Sequence, residues 1–201
     1  MTTFSGINKG ISVLGIQKEL PIFSQIVSDK DSINSSLVDS ISEYRKKNSS
    51  NTITNVNANW RSGWELHKEP SFKQFINWIR GNLDYIFSYH LQRKYEFSIN
   101  DMWAIQYVNG DYAQIHDHFP FHFSCVYYVE AEDGCSPIIF ENKLKVNPEP
   151  GLLLVFPSLI DHEVSTTNKK RIVISLNVAI QRDMGRFSKG NFIENKNGID
   201  V

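Results

Sequence analysis

An α+β domain, mainly β, follows from three features of the 201-residue sequence. Two stretches with helical apolar periodicity lie in the first half, and seven short β-branched or aromatic runs crowd the second. A content of 41% hydrophobic and 21% charged residues supplies one real core, and the length is short for two. Gly, Asn, Pro and Asp punctuate the seven runs, the texture of short antiparallel strands joined by turns. Helices ahead of such a series are expected to buttress a sandwich or barrel.

In DSINSSLVDSISEYRKK (31–47), Ile33, Leu37, Val38, Ile41 and Tyr44 recur near the helical period, with Asp31 placed as an N-cap and lysines at the C-terminal end. The polar stretch 46–59 reads as a loop passing into an extended segment. In EPSFKQFINWIRGNLDYIFSYHL (69–91), Phe72, Phe75, Ile76, Ile79, Leu83, Phe87 and Leu91 form one stripe behind Pro70, which suits a first helical turn. That stripe is expected to pack on a sheet. From Met102 onward DMWAIQYV, YAQIH, FSCVYYVEA, SPIIFEN, GLLLVFP, HEVST and RIVISLNVAI each read as a strand. The chain is therefore expected to form a single domain over 1–201, with helical support to about 100, a β core over about 101–182 and a Gly/Asn/Lys-rich tail at 183–201.

A formal net charge of −1 and a pI near 6.6 argue against nucleic acid or an anionic membrane as partner. Cys125 and Cys135 make no CxxC pair and no disulfide framework, and read as reduced thiols in or near the core. Lysines interrupt the short apolar run of the first twenty residues, and Pro157 breaks GLLLVFPSLI, which is too short to span a bilayer. These features predict a soluble, intracellular, cytoplasmic protein, a monomer or, through exposed strand edges, a homodimer.

Four histidines, His116, His118, His122 and His162, need weighing together. His116 and His118 stand two apart in QIHDHFPFHF, so on a strand they share a face while Asp117 points away. Alone, such a pair more often means solvated histidines at a polar strand end. His162 follows a buried-looking strand and opens the next, adding a third imidazole from a distant part of the chain. Three donors of this kind leave open positions on a metal, an arrangement that non-haem iron(II) enzymes use to bind a bidentate cosubstrate and oxygen. Arg171 opens the apolar run RIVISLN nine residues after His162. If 2-oxoglutarate chelates the metal through its 1-carboxylate and 2-oxo group, a buried arginine is the natural fork for its 5-carboxylate.

These residues resemble the 2-oxoglutarate/iron(II)-dependent oxygenases, and within them the prolyl 4-hydroxylase-like branch. The resemblance rests on Tyr107 in QYVNGDY, on His116 and His118 in HDH, on Tyr127–Tyr128 in CVYYVE, and on His162 with Arg171 in HEVSTTNKKR. PIFSQIVSD and WRSGWELHKEPSF upstream are similar to a little-characterised bacterial and phage subgroup that carries H-x-H. The resemblance implies a double-stranded β-helix (jelly-roll) core, Fe(II) and 2-oxoglutarate, and hydroxylation of a protein, peptide or small-molecule substrate, peptidyl proline being the family's example. It implies further that Tyr128 joins Arg171 at the 5-carboxylate, that Tyr107 lines the cosubstrate pocket and that Asn177 points into the cavity. His90 and His122 are left to the surface or to packing.

His118 stands where the family carries a carboxylate. His116, His118 and His162 are the expected triad; Asp117 is the alternative donor if the strand ends at His116. A three-histidine cupin dioxygenase working without 2-oxoglutarate also fits GDYAQIHDH, but its expected glutamate is missing, PEPG lies too far before His162, and Arg171 has no role in it. The third reading is a non-catalytic metal-binding or interaction module on the same scaffold.

Overall fold

A computed structural model describes residues 19–50, 54–167 and 169–186. The sequence expectations for the first 18 residues and for the tail beyond 186 lie outside the described residues. In order the elements are β1 (Phe23–Ile26), α1 (Lys30–Lys47), β2 (Val56–Asn57), β3 (Trp60–Arg61), α2 (Lys73–Tyr85), β4 (Arg93–Tyr107), β5 (Tyr112–His116), β6 (Phe123–Ala131), β7 (Ile138–Phe140), β8 (Leu144–Val146), β9 (Leu152–Pro157), β10 (His162–Val164) and β11 (Arg171–Arg186). A six-stranded sheet runs β1-β9-β6-β11-β4-β3, and a five-stranded sheet runs β2-β5-β10-β7-β8, all ladders antiparallel.

The larger sheet is buried on both faces, which explains its uninterrupted apolar runs. On β11, Ile172, Ile174, Leu176 and Val178 face the helices, where Leu37, Ile41, Phe72, Phe75, Ile79, Leu83 and Phe87 complete one core. Val173, on the other face, packs with Ile105, Tyr128, Leu154 and Phe156 against Ala113, Ile138, Phe140 and Val164 of the smaller sheet. Arg171 and Ser175 share Val173's parity, so the strand period aims them between the sheets. Leu83 is 0% exposed in the helix-facing core. Leu83→Ala is expected to lower stability by about 2–5 kcal/mol. Urea denaturation checks this, and a loss under about 0.5 kcal/mol would contradict this packing.

Several elements differ from the sequence expectation. Asp31 lies inside the first turn of α1; Asp29 occupies the N-cap position without a side-chain cap bond. An acid in a first turn still complements the helix dipole. The second helix is composite, a 3₁₀ turn at Pro70–Phe72, α2, then a π turn at Ile86–His90 that buries Ile86 and Phe87 side by side. β4 starts at Arg93, eight residues before the expected strand, carried by the alternation Tyr95, Phe97, Ile99. The strands β1, β2, β3 and β8 are too short, at two to four residues, to leave a periodic trace. Both cysteines are free and buried. No described helix is long and apolar enough to cross a membrane.

Candidate active site

The turn from β4 to β5 delivers the first histidine. Gly110 takes φ +95°, a conformation that suits glycine, and its N–H donates to Thr167 O at 2.9 Å. The Asp111 carboxylate accepts from the backbone N–H of Val108 and Asn59, each at 2.8 Å, and its own backbone pairs with Thr167. This knot ties the entrance of β5 to the loop that leads into Arg171. His116 then ends β5 directly opposite His162 of β10.

β5 stops at His116, so strand alternation does not place His118. Its backbone N–H donates to Ser158 O at 2.8 Å and turns the side chain inward. Asp117 is exposed, and its Oδ1 accepts from Phe119 N–H at 3.0 Å. The three imidazoles converge: each offers a nitrogen, and these lie within 4.8 Å of one another. Ring centroids are 4.3 Å apart for His116–His162, 5.0 Å for His116–His118 and 5.1 Å for His118–His162. Nδ1 of His116 donates to Gln114 O at 2.6 Å, and Nδ1 of His162 to Ile160 O at 3.1 Å, because a carbonyl can only accept. Each Nε2 therefore keeps its lone pair, the form that binds a divalent transition metal.

Burial pushes all three imidazoles below their ordinary pKa, His162 to about 4 and His118 to about 3, where its histidine neighbours and the Arg61 guanidinium add to the effect. An unfolded imidazole takes up a proton near pH 6.5, while His162 refuses it down to about pH 4 and His118 down to about pH 3. In that window the unfolded chain binds more protons, so stability of the metal-free protein is expected to fall as the pH drops through it and to be level above it. Urea midpoints measured in chelator across the window test this, and His118→Gln should flatten part of the slope. A slope unchanged by that variant would mean that His118 is solvated.

The cavity between the sheets is lined by the three histidines, Trp103, Tyr107, Tyr128, Ser175, Arg61 and Arg171 among others. Trp103 is paired with Ser175 across the β4–β11 ladder and lies 5.7 Å from the His118 ring. The histidine end thus sits four strand residues from Arg171, about 13 Å along the backbone. Arg171 is 1% exposed, stacks over Tyr107 at 4.2 Å and donates Nη1 to Ser136 O at 2.7 Å. Its Nε and Nη2 are buried without a partner among the described residues. Unpaired guanidinium donors are costly, and a carboxylate satisfies two of them as a fork. Tyr128 and Tyr107 are buried beside it; burial raises both phenols, and the neighbouring cation opposes the rise, so both keep their protons. This donor set fits a transition metal and an anionic chelator.

Asn177 differs from expectation. It keeps the inward parity of β11 but does not line the cavity: Ser124 Oγ donates to its Oδ1 at 3.0 Å, and its Nδ2 donates to Asp101 at 3.3 Å. Ser175 is the last residue of that row to line the cavity. His122 accepts from Ile180 N–H, and His90 packs on Phe23, Tyr85 and Tyr89, both outside the site. Arg61 is a charged cavity residue that the sequence reading did not assign. It lies on a two-residue strand, and its sequence trace is no more than an arginine beside Trp60.

No protein-family model matches the sequence, and no curated protein matches it. Solved structures do. A prolyl-4-hydroxylase of Pseudomonas putida aligns over 80% of this chain and 92% of its own at 15% identity, with a TM-score of 0.59. The chain has the double-stranded β-helix fold of that protein. A viral collagen prolyl hydroxylase from Paramecium bursaria Chlorella virus-1, solved as a 2-oxoglutarate complex, aligns over 79% and 96% at 16% identity and TM-score 0.57. A prolyl hydroxylase from Trichoplax adhaerens, solved with a hypoxia-inducible-factor peptide fragment, aligns over 80% and 83% at 16% identity and TM-score 0.60.

Proposed function

We propose that the protein is a 2-oxoglutarate- and Fe(II)-dependent dioxygenase that hydroxylates a prime substrate and releases succinate and carbon dioxide. The observation that carries this reading is the pairing, in one cavity, of three converging imidazoles with a buried arginine whose Nε and Nη2 lack partners. Likeness of fold to hydroxylases, one of them solved with 2-oxoglutarate, supports it.

His116, His118 and His162 would hold the metal, while Arg171 and Tyr128 would hold the 5-carboxylate of the cosubstrate against Tyr107. Bound together with oxygen, iron(II) and 2-oxoglutarate supply the oxidising chemistry: the cosubstrate loses carbon dioxide to become succinate, and one oxygen atom enters a C–H bond of the prime substrate. The chain's own part is to present neutral imidazoles, anchor an anion and keep water away. The carbonyls behind His116 and His162 fix their tautomers. Trp103, Ile105, Phe156 and Val173 wall the space with apolar surface, which strengthens the electrostatic hold on a bound anion. The peptide in the Trichoplax complex makes peptidyl proline the first substrate class to assay.

Calorimetry under anaerobic conditions, titrating 2-oxoglutarate with manganese(II) present and then removed, tests the reading. Metal-dependent binding is expected. The cupin reading leaves Arg171 without a partner and predicts no binding in either state. A non-catalytic module would bind without forming succinate once iron, oxygen and candidate substrates are added.

A further inference from the structure

The cavity holds a second buried guanidinium that the assignment above does not use. Arg61 is 2% exposed, on β3 at the edge of the larger sheet. It pairs with Ile105 across β4, and Ile105 pairs with Val173 of β11, so Arg61 stands one cross-strand row from Arg171. Its guanidinium lies 3.7 Å over the Trp64 ring and 5.3 Å from Trp103, the ring that approaches His118. The two arginines thus serve different parts of the cavity: Arg171 lies over Tyr107, and Arg61 lies on the histidine side.

Stacking on tryptophan satisfies the face of a guanidinium but not its in-plane N–H groups. Nη1 donates to Ser62 O at 3.3 Å, and Nε is buried with no partner. Asp101 accepts from Asn177, and no ion pair joins Arg61 to any carboxylate among the described residues. Among the described residues the cavity lining contains no Asp or Glu. Three neutral imidazoles and two guanidiniums therefore face one cavity whose described lining supplies no carboxylate. With a 5-carboxylate at Arg171, the unpaired Nε–H of Arg61 on the histidine side still lacks an acceptor: Asp101 favours the Arg61 charge through space but makes no ion pair with it, and a second carboxylate would supply that acceptor.

We infer that Arg61 is a second carboxylate-binding residue, placed to receive a carboxylate beside His118. That carboxylate comes from one of two sources: the 2-oxo-acid end of the cosubstrate, or the prime substrate, which would then be a free carboxylic acid or a chain terminus. The inference rests on the dioxygenase reading above.

The test is anaerobic calorimetry on the manganese(II)-loaded wild type and Arg61→Gln. One arm titrates 2-oxoglutarate and 2-oxobutanoate, which lacks the 5-carboxylate. The other titrates L-proline and L-prolinamide into protein saturated with 2-oxoglutarate. If the source is the cosubstrate, Arg61→Gln weakens both 2-oxo acids by about tenfold or more, the loss of a charged hydrogen bond. If it is the prime substrate, both 2-oxo acids bind the variant as they bind wild type; L-proline binds wild type but not the variant, and L-prolinamide binds neither. Arg61→Lys, which keeps the cation, should recover part of whichever affinity is lost and guards against a variant that merely misfolds. Normal 2-oxoglutarate binding by wild type with no effect of Arg61→Gln in either arm overturns the inference alone. Failure of wild type to bind 2-oxoglutarate overturns the dioxygenase reading, and this inference with it.

Discussion

Arg171→Ala is expected to weaken 2-oxoglutarate binding by about 2–5 kcal/mol, roughly 30- to 5,000-fold, with manganese(II) binding left in place. The magnitude follows from burial. At 1% exposure the guanidinium lies outside water, as would a carboxylate bound to it, so removing one partner would leave the other charge uncompensated. Among the described residues the Arg171 guanidinium donates to Ser136 O and lies against Tyr107, while its Nε and Nη2 keep donors free for a ligand. Arg171→Lys separates charge from shape: the cation remains, the two-pronged fork does not, and an intermediate loss is expected. Calorimetry at fixed manganese(II) reads all three proteins. Equal affinity for wild type and Arg171→Ala would remove the arginine from the cosubstrate site.

The parts of this site that could be read from the sequence are those where one residue's chemistry conflicts with its surroundings. An arginine opening an apolar strand is such a conflict, and the strand proved to be buried on both faces. The expected strands β6, β9 and β11 of the larger sheet were legible for the same reason, since continuous apolar runs survive where both faces are covered. Arg61 was not legible because its strand is two residues long and its burial comes from Trp64 and Trp103, the latter forty-two positions away. Asn177 shows the opposite failure. Its parity was read correctly, but parity says only which face a residue takes, and Ser124 and Asp101 claim its amide before the cavity is reached.

His118→Ala is expected to weaken metal binding by more than the roughly 10- to 100-fold that losing a hydrogen-bond partner of a ligand costs, because a ligand itself is gone. Asp117→Ala should leave affinity within about twofold, as a surface change does. The pair decides between two donors that adjacent positions present to the same metal. Strand alternation alone favoured His118, yet the strand ends at His116, the circumstance in which Asp117 had a claim. The local hydrogen bonds settle the geometry differently: Asp117 Oδ1 is held by Phe119 N–H on the exposed side, while the His118 backbone is pinned to Ser158 and its ring sits 5.1 Å from that of His162. Three imidazoles would leave a bound metal one positive charge richer than two imidazoles and a carboxylate would, so a bound anion would have to supply that balance. Metal-free and manganese(II)-loaded calorimetry on both variants checks the assignment. A large loss on Asp117→Ala with His118→Ala unaffected would hand the third position to the carboxylate.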